Sequence, residues 1–240
     1  MSTYYPELSE LQRLDFPPAD SAPHFGPACH GGNLSPGFIL SAYEQGYFPW
    51  YNEGDPVLWW SPDPRFVLYP QNIYMGKRLR RYLGKAGFYV SIDLCFHEVI
   101  RLCKEVRKDN TWIDEQLIDG YSRLHDLGYA HSFEVWEGEN LVGGLYGVRT
   151  GSVFSGESMF SLRPNASKAA LVKLCESCIE LEIGLIDCQV ETEYLDSMGA
   201  SEIPRQEYLH ILSRGLERLA STQWYPVPKK KEPFHPRTSI

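Results

Sequence analysis

Two short segments carry polar groups where a buried strand would be apolar. In "GLIDCQVE", residues 184–191, an apolar run holds Asp187 and Gln189. Side chains alternate across a regular strand, so Leu185, Asp187 and Gln189 would share one face and Ile186, Cys188 and Val190 the other. Asp187 and Gln189, about 6.6 Å apart along such a strand, would be placed to grip one substrate group. The carboxylate can accept a proton. The amide can donate and accept hydrogen bonds but cannot act as a base. A strand end, with Asp187 capping a turn and Gln189 solvated, fits the segment equally well. Cys188 has no base near it in sequence and falls on the face opposite Asp187, so it reads as packing.

The second segment is "FSGESMFS", residues 154–161. On an ideal strand Glu157, Met159 and Ser161 share a face. An acid beside a methionine suits an apolar cavity with one polar handle, shaped for a flexible apolar group that carries an amine. A half-buried antiparallel strand with an exposed glutamate is the plainer reading of the same residues. The GxSxG pattern is absent, so Ser158 is a poor hydrolase nucleophile.

Aromatic residues form a third set: Tyr43, Trp50, Trp59, Trp60, Trp112 and Tyr121. Core packing is the default for any one of them. In turn-rich segments, however, aromatics also make stacking platforms, worth about 1–3 kcal/mol per nucleotide base. A basic stretch at 75–85 supplies Lys77, Arg78, Arg80, Arg81 and Lys85, and four more cations lie in 101–108. Solvated helix faces account for such clusters in most proteins. The net charge of −8 speaks against non-specific nucleic-acid binding. An acidic chain with local basic clusters can nevertheless hold two partners of opposite charge. His125 and His131 suggest neither a catalytic nor a metal pair. Cys175 and Cys178 have half the spacing of a zinc site, but they sit in a helical pattern and no second ligand pair follows, so no metal is expected.

The elements that must position these groups follow from pattern. The chain has 240 residues and 43% hydrophobic content, enough for one large domain or two smaller ones. It has no apolar run long enough for a membrane span, and its first residues lack a secretory signal, so a cytoplasmic protein with reduced cysteines is expected. A helix from Pro36, capped by Ser35 and ended by Gly46, precedes an aromatic, turn-rich stretch. The "SPDPR" segment at 61–65 marks a boundary. Beyond it come strands at 65–69 and 88–92, a short basic helix at 76–84, and a helix after Asp93 as its cap. Thr111 and Asp114 predict a capping box for a helix over 112–126. Residues 130–161 read as three antiparallel strands. Asn165 would cap a helix over 166–182, "LIDCQV" is a strand, and a last helix spans about 205–220. The expectation is an α+β chain: a small N-terminal domain, 1–63, then a mixed domain, 64–240, with a Lys/Pro-rich tail from about 221.

Taken together, "GNLSPGFILSAYEQGYFPWY", "LWWSPDPR", "TWI", "LHDLGYAHSFEVW", "LVGGLYGV", "GESMFS", "NASK", "LIDCQ" and "SMGASEIPR" occur in an order and spacing that resemble the leucyl/phenylalanyl-tRNA–protein transferases, over about residues 25–215. The resemblance implies a small N-terminal domain followed by a GNAT-like acetyltransferase fold. It implies transfer of leucine or phenylalanine, with methionine as a further candidate, from aminoacyl-tRNA to proteins that begin with Arg or Lys, marking them for degradation. The ester is already activated, so no cofactor, ATP or metal is implied, and a monomer is expected. By motif, Asp187 and Gln189 match the family's catalytic pair. Leu145, Glu157 and Met159 match the side-chain pocket, and Trp50, Trp112, Tyr43 and Tyr121 the contacts to the terminal adenosine. Lys77, Arg78, Arg80, Arg81 and Lys85 are the expected phosphate contacts. Glu157, Glu191, Glu193 and Asp196 are candidates for an acidic rim facing the acceptor's cation. The chain departs from the pattern at Asn33, Tyr74 and Tyr194. Two other readings remain open: an acyl-CoA-dependent N-acyltransferase, which should carry a Gly-rich loop where this chain has "SLRPNASKAAL", and a non-catalytic RNA-binding module, which leaves Asp187, Gln189 and Glu157 without a purpose.

Overall fold

The computed structural model describes residues 3–5, 12–107, 111–219 and 230–237. The N-terminal part contains strands β1 (Thr3–Tyr5) and β2 (Pro27–Gly31), helix α1 (Pro36–Glu44), and strands β3 (Phe48–Pro49) and β4 (Leu58–Trp60). These strands form one sheet in the order β1-β2-β4-β3. Helix α1 starts as expected, with the Ser35 hydroxyl accepting from the Phe38 amide at 3.4 Å and Pro36 in the first turn.

The rest of the chain builds a second sheet. It runs through β5 (Arg65–Leu68), α2 (Lys77–Leu83), β6 (Tyr89–Ile92), α3 (Phe96–Arg107), α4 (Glu115–Asp126), β7 (Ala130–Glu137), β8 (Asn140–Thr150) and β9 (Val153–Ser161). It continues through α5 (Ala166–Glu180), β10 (Leu185–Gln189), α6 (Glu193–Asp196), β11 (Ser201–Ile203), α7 (Arg205–Leu219) and β12 (Glu232–Pro233). The strand order is β11-β5-β10-β9-β8-β7-β6-β12. All neighbours are antiparallel except β9 and β10, which α5 connects in parallel. The molecule is thus of the mixed α+β class.

Alternation along the strands sends side chains into two layers. Phe66, Leu68, Phe133, Leu145, Phe154 and Ile186 meet the small, apolar face of α5. Gly143 lets that helix approach, because a Cβ there would fall 2.5 Å from the Cβ of Ala166. On the opposite face Val67, Val153 and Leu185 pack with Tyr208 and Leu212 of α7. Farther along that face Tyr146, Val148 and Phe160 pack with residues of α3, α4 and α1. The same apolar cluster contains Phe38, Phe48 and Trp59, so the core runs unbroken across the 63/64 junction. Arg205 ties the two parts further. Its buried guanidinium donates to the carbonyls of Ala22 (2.9 Å), Pro23 (3.0 Å), Asp20 (3.3 Å) and Ser61.

Several local expectations are corrected. Helix α4 begins at Glu115, not 112, because Asp114 itself is the cap, accepting from the Leu117 amide at 2.8 Å; Thr111 bonds the Ile113 amide instead. Asp93 does not cap α3. It adopts φ +57° and turns its carboxylate to the Ser132 amide and His131 Nδ1, both at 2.8 Å. Asn165 sits at the start of α5 with φ +63° and makes no side-chain cap bond. The expected tail is docked where it is described: β12 pairs with β6, Phe234 is buried, and Lys231 lies 4.1 Å from the centre of the Trp136 ring. Residues 221–229 and 238–240 of that tail lie outside the described residues. No helix among the described residues is long and apolar enough to cross a membrane.

Replacing Arg205 by Met removes a buried fork and strands four carbonyls. A loss of about 3 kcal/mol or more in urea-unfolding stability is expected.

Candidate active site

Strands β9 and β10 pair only over Val153–Ser155 and Leu185–Asp187. Beyond that point each strand is irregular. On β9, Gly156 pairs with Gly147 and Ser158 with Tyr146, which leaves Glu157 as the extra residue of a bulge. Gly147 accommodates the bulge, since a Cβ there would stand 2.2 Å from the Ser155 carbonyl oxygen. On β10, Asp187 pairs with Val67 and Gln189 with Phe66, so Cys188 is extra, and Gln189 takes φ +67°. The strands separate, and a cleft of about 620 Å³ opens between them.

The cleft has an apolar wall and a polar end. Leu145, Met159, Leu171, Leu174 and Ile186 line it, with Trp50 and Trp112 half-buried along its side. Glu157, Gln189, Tyr146, Ser158 and Arg107 supply the polar groups. Glu157 is the one carboxylate lining the cleft among the described residues.

Asp187 is not in the cleft. Strand alternation points it to the far face of the sheet, where both it and Arg65 have no solvent exposure. Arg65 donates from Nε to Oδ1 at 2.8 Å and from Nη2 to Oδ2 at 2.6 Å. Tyr208 (3.1 Å) and Ser155 (3.2 Å) donate to Oδ2, and the Gln189 amide donates to Oδ1 at 2.9 Å. The Arg65 guanidinium is itself stacked between Phe48, 4.8 Å away, and Tyr208, 4.4 Å away. The expectation that Asp187 and Gln189 share a face and grip one substrate group is therefore corrected. The bulge at Cys188 breaks the alternation, so Asp187 turns inward and Gln189 turns into the cleft.

Gln189 Nε2 donates to Glu157 Oε1 at 2.8 Å, and Tyr121 Oη donates to Glu157 Oε2 at 3.1 Å. The Tyr121 hydroxyl is 2.6 Å from that of Tyr43. Burial pushes the Glu157 carboxyl up to about 7, helped by the charge of Asp187 and opposed by the hydrogen bonds from Tyr43, Tyr121 and Gln189. Tyr43 and Tyr121 were expected among the contacts to the terminal adenosine. Both are buried and belong to this hydrogen-bond chain, so neither ring offers a face to a ligand.

Other expected residues fall as follows. Leu145, Glu157 and Met159 all line the cleft, although the bulge at Glu157 means that Glu157 and Met159 do not share a strand face. Cys188 lines the cleft too, with its thiol pushed up by burial. Lys77, Arg78, Arg80 and Arg81 lie on α2 and Lys85 just after it; Arg80 bonds the Arg237 carbonyl at 3.3 Å, and none of the five lines the cleft. Asn33 bonds the Ser35 amide at 3.2 Å, ahead of α1. Tyr74 is exposed, and Tyr194 lines the cleft with its hydroxyl 3.2 Å from that of Ser167. Cys175 and Cys178 are buried in the core under α5. His125 bonds the Ala130 carbonyl at 2.8 Å.

Sequence reasoning missed Arg65, Ser155, Tyr146, Arg107 and Tyr208. Arg65 did leave a signal: a cation opening the apolar run "RFVLY" needs a buried partner. Tyr208, on a helix far along the chain, left none.

Comparison with known proteins shows the family. Residues 67–213 fit the family model described as leucyl/phenylalanyl-tRNA protein transferase, and residues 32–63 fit that family's N-terminal domain. The chain belongs to the leucyl/phenylalanyl-tRNA protein transferase family. Members so named from Anaeromyxobacter sp. (strain Fw109-5) and Shigella dysenteriae serotype 1 are 49% and 48% identical, covering 86% and 82% of this chain and 89% and 84% of theirs. The member from Escherichia coli (strain K12 / DH10B) is 47% identical over 82% of this chain and 84% of its own. Among solved structures, an aminoglycoside acetyltransferase from a soil metagenome aligns with 59% of this chain and 94% of its own, at 15% identity and a TM-score of 0.36.

For this family member, Asp187→Asn leaves Arg65 buried without a counter-charge. A stability loss of about 3–5 kcal/mol is expected by urea unfolding. Wild-type stability would show that the pair does not hold the sheet together.

Proposed function

We propose that this protein transfers leucine or phenylalanine from its aminoacyl-tRNA to the N-terminal α-amine of proteins that begin with Arg or Lys, marking them for degradation. The observation that carries this reading is the division of one cleft into an apolar wall and a polar end, with two tryptophans beside them. Leu145, Met159, Leu171, Leu174 and Ile186 suit an unbranched-Cβ apolar side chain. Methionine would also fit this wall, and adaptable residues such as Met159 favour such breadth. Trp50 and Trp112 are placed to stack on the adenosine that ends a tRNA. Gln189 and Glu157 lie where the ester and the amine would meet.

The reaction is ester aminolysis, so an activated donor makes a cofactor, ATP or metal unnecessary, and much of the rate would come from positioning. The exposed cations of α2 and Lys85 suit the phosphates of the tRNA body, a contact that salt would weaken. Glu191, Glu193 and Asp196, next to the cleft-lining Thr192 and Tyr194, suit the cation of the acceptor. We take it to act as a monomer. The cytoplasm, where charged tRNA and free N-termini coexist, is the natural compartment. We take residues 1–63 as a unit that completes the donor site and 64–240 as the unit that carries the reacting groups.

The test is direct. Labelled Leu-tRNA and Phe-tRNA should label a peptide beginning with Arg but not one beginning with Gly, and Ile-tRNA, branched at Cβ, should be used poorly. Equal transfer from Ile-tRNA, or to both peptides, would contradict the reading.

A further inference from the structure

The reaction must take a proton from the attacking amine, and the geometry points to Glu157, rather than Asp187, as the group that receives it. This rests on the transfer reading above and adds the proton acceptor to it.

Donor geometry separates the two carboxylates. An ionised carboxylate offers about four lone-pair positions. Asp187 receives five donors, from Arg65 Nε and Nη2, Tyr208 Oη, Ser155 Oγ and the Gln189 amide, so it is saturated. It is also wholly buried on the face of the sheet away from the cleft. A substrate amine can reach it only by displacing Arg65. Glu157 lines the cleft, is 8% exposed, and receives three donors: Gln189 Nε2 on Oε1 at 2.8 Å, Tyr121 Oη on Oε2 at 3.1 Å, and the Tyr43 hydroxyl. Three donors against about four lone-pair positions leave one for an incoming N–H.

The neighbouring groups fit the same role. Because Gln189 Nε2 is committed to Glu157, its Oε1 is the amide's remaining acceptor, ready for a second N–H of the same amine. Asp187 then acts as a positioning residue: it bonds the Gln189 backbone amide and so fixes the φ +67° turn that aims the side chain. The groups facing Glu157 are Tyr43 from α1, Tyr121 from α4, Tyr146 from β8 and Asp187 from β10, with Arg107 of α3 held at Ser158 alongside. Burial keeps the three phenols protonated. Cys188, half-buried, is likewise a neutral thiol. Among the described residues, Glu157 is left as the one group lining the cleft able to change protonation at neutral pH.

The step balances. The amine nitrogen attacks the aminoacyl carbonyl carbon as a neutral amine, and a C–N bond forms. One N–H proton passes to Glu157. The C–O bond to the ribose then breaks, and Glu157 returns that proton to the leaving ribose oxygen. The products are an amide and an uncharged tRNA with its hydroxyl restored, and Glu157 ends as the carboxylate it began as. A carboxyl raised to about 7 is matched to an α-amine of pKa about 7.7–8.0, as an efficient acceptor must be.

Single-turnover transfer from Leu-tRNA to an Arg peptide, followed across pH, tests this. In the wild-type protein two ionisations shape the acid limb: Glu157 must lose its proton, and so must the amine, so the rate falls steeply below about pH 7. Glu157→Gln keeps the shape of the side chain. It should cut the rate by about 10²–10³-fold, leave binding of the charged tRNA intact, and reduce the acid limb to the single ionisation of the amine. In Glu157→Ala, which opens space at the same point, formate should raise transfer with concentration while chloride at equal ionic strength does not. An unaltered acid limb in Glu157→Gln, an effect confined to KM, or no formate rescue in a variant that still binds charged tRNA would overturn the assignment. Absence of transfer by the wild-type protein would instead overturn the transferase reading, and this one with it.

Discussion

The buried pair of Arg65 and Asp187 is the interaction on which the rest of the site depends. Taking two charges out of water is costly, and a pair of this kind adds little net stability by comparison with well-packed apolar residues. Here its cost is offset by saturation: a two-pronged guanidinium–carboxylate contact, two hydroxyls, a backbone amide, and aromatic rings on both sides of the cation. What it supplies is placement. It joins β5 to β10 and, through Tyr208, to α7. Through Phe48 and a bond from Arg65 Nη1 to the Gly46 carbonyl at 3.3 Å, it also holds the aromatic segment of the N-terminal part.

From that anchor the cleft follows. A parallel pair of strands can part only where its ladder stops, and two bulges stop it: Glu157 on β9, Cys188 on β10. The bulges do more than make room. Each reverses the alternation of its strand, so Gln189 enters the cleft while Asp187, two residues earlier, does not. The polar end is then braced from outside the sheet. Tyr43 comes from α1 and Tyr121 from α4, and their hydroxyls meet at 2.6 Å. The N-terminal part is thus a structural member of the site, which agrees with a core that runs across the junction.

The division of labour between the two carboxylates is a matter of environment rather than residue type. One is saturated with donors and sealed behind a cation, and serves geometry. The other is enclosed by phenols and an amide, faces a cavity with an apolar wall, and is pushed toward neutral pH by burial.

Much of this was legible in the chain itself. The order of helices and strands after residue 64, the Ser35 cap, the three antiparallel strands of 130–161 and the motifs "GESMFS" and "LIDCQ" all depend on local pattern and turn chemistry. An apolar cavity shared by an acid and a methionine was one of two readings of residues 154–161, beside a half-buried strand with an exposed glutamate; a carboxylate in an apolar run must find either a cavity or a partner. What the sequence could not determine is which of those two each acid would find. Strict alternation put Asp187 and Gln189 on one face, and only the bulge at Cys188 separates them. A bulge depends on what lies across the strand, and Phe66 and Val67 are more than a hundred residues away. Tyr43 and Tyr121 were legible as special residues, but whether an aromatic ring stacks on a ligand or is sealed in a hydrogen-bond chain is decided by the layers that close over it. Residue types and local spacing determined which groups are available for chemistry; tertiary packing alone decided which of them face the cleft, because burial, pairing and bulge position are properties of neighbours distant in the chain.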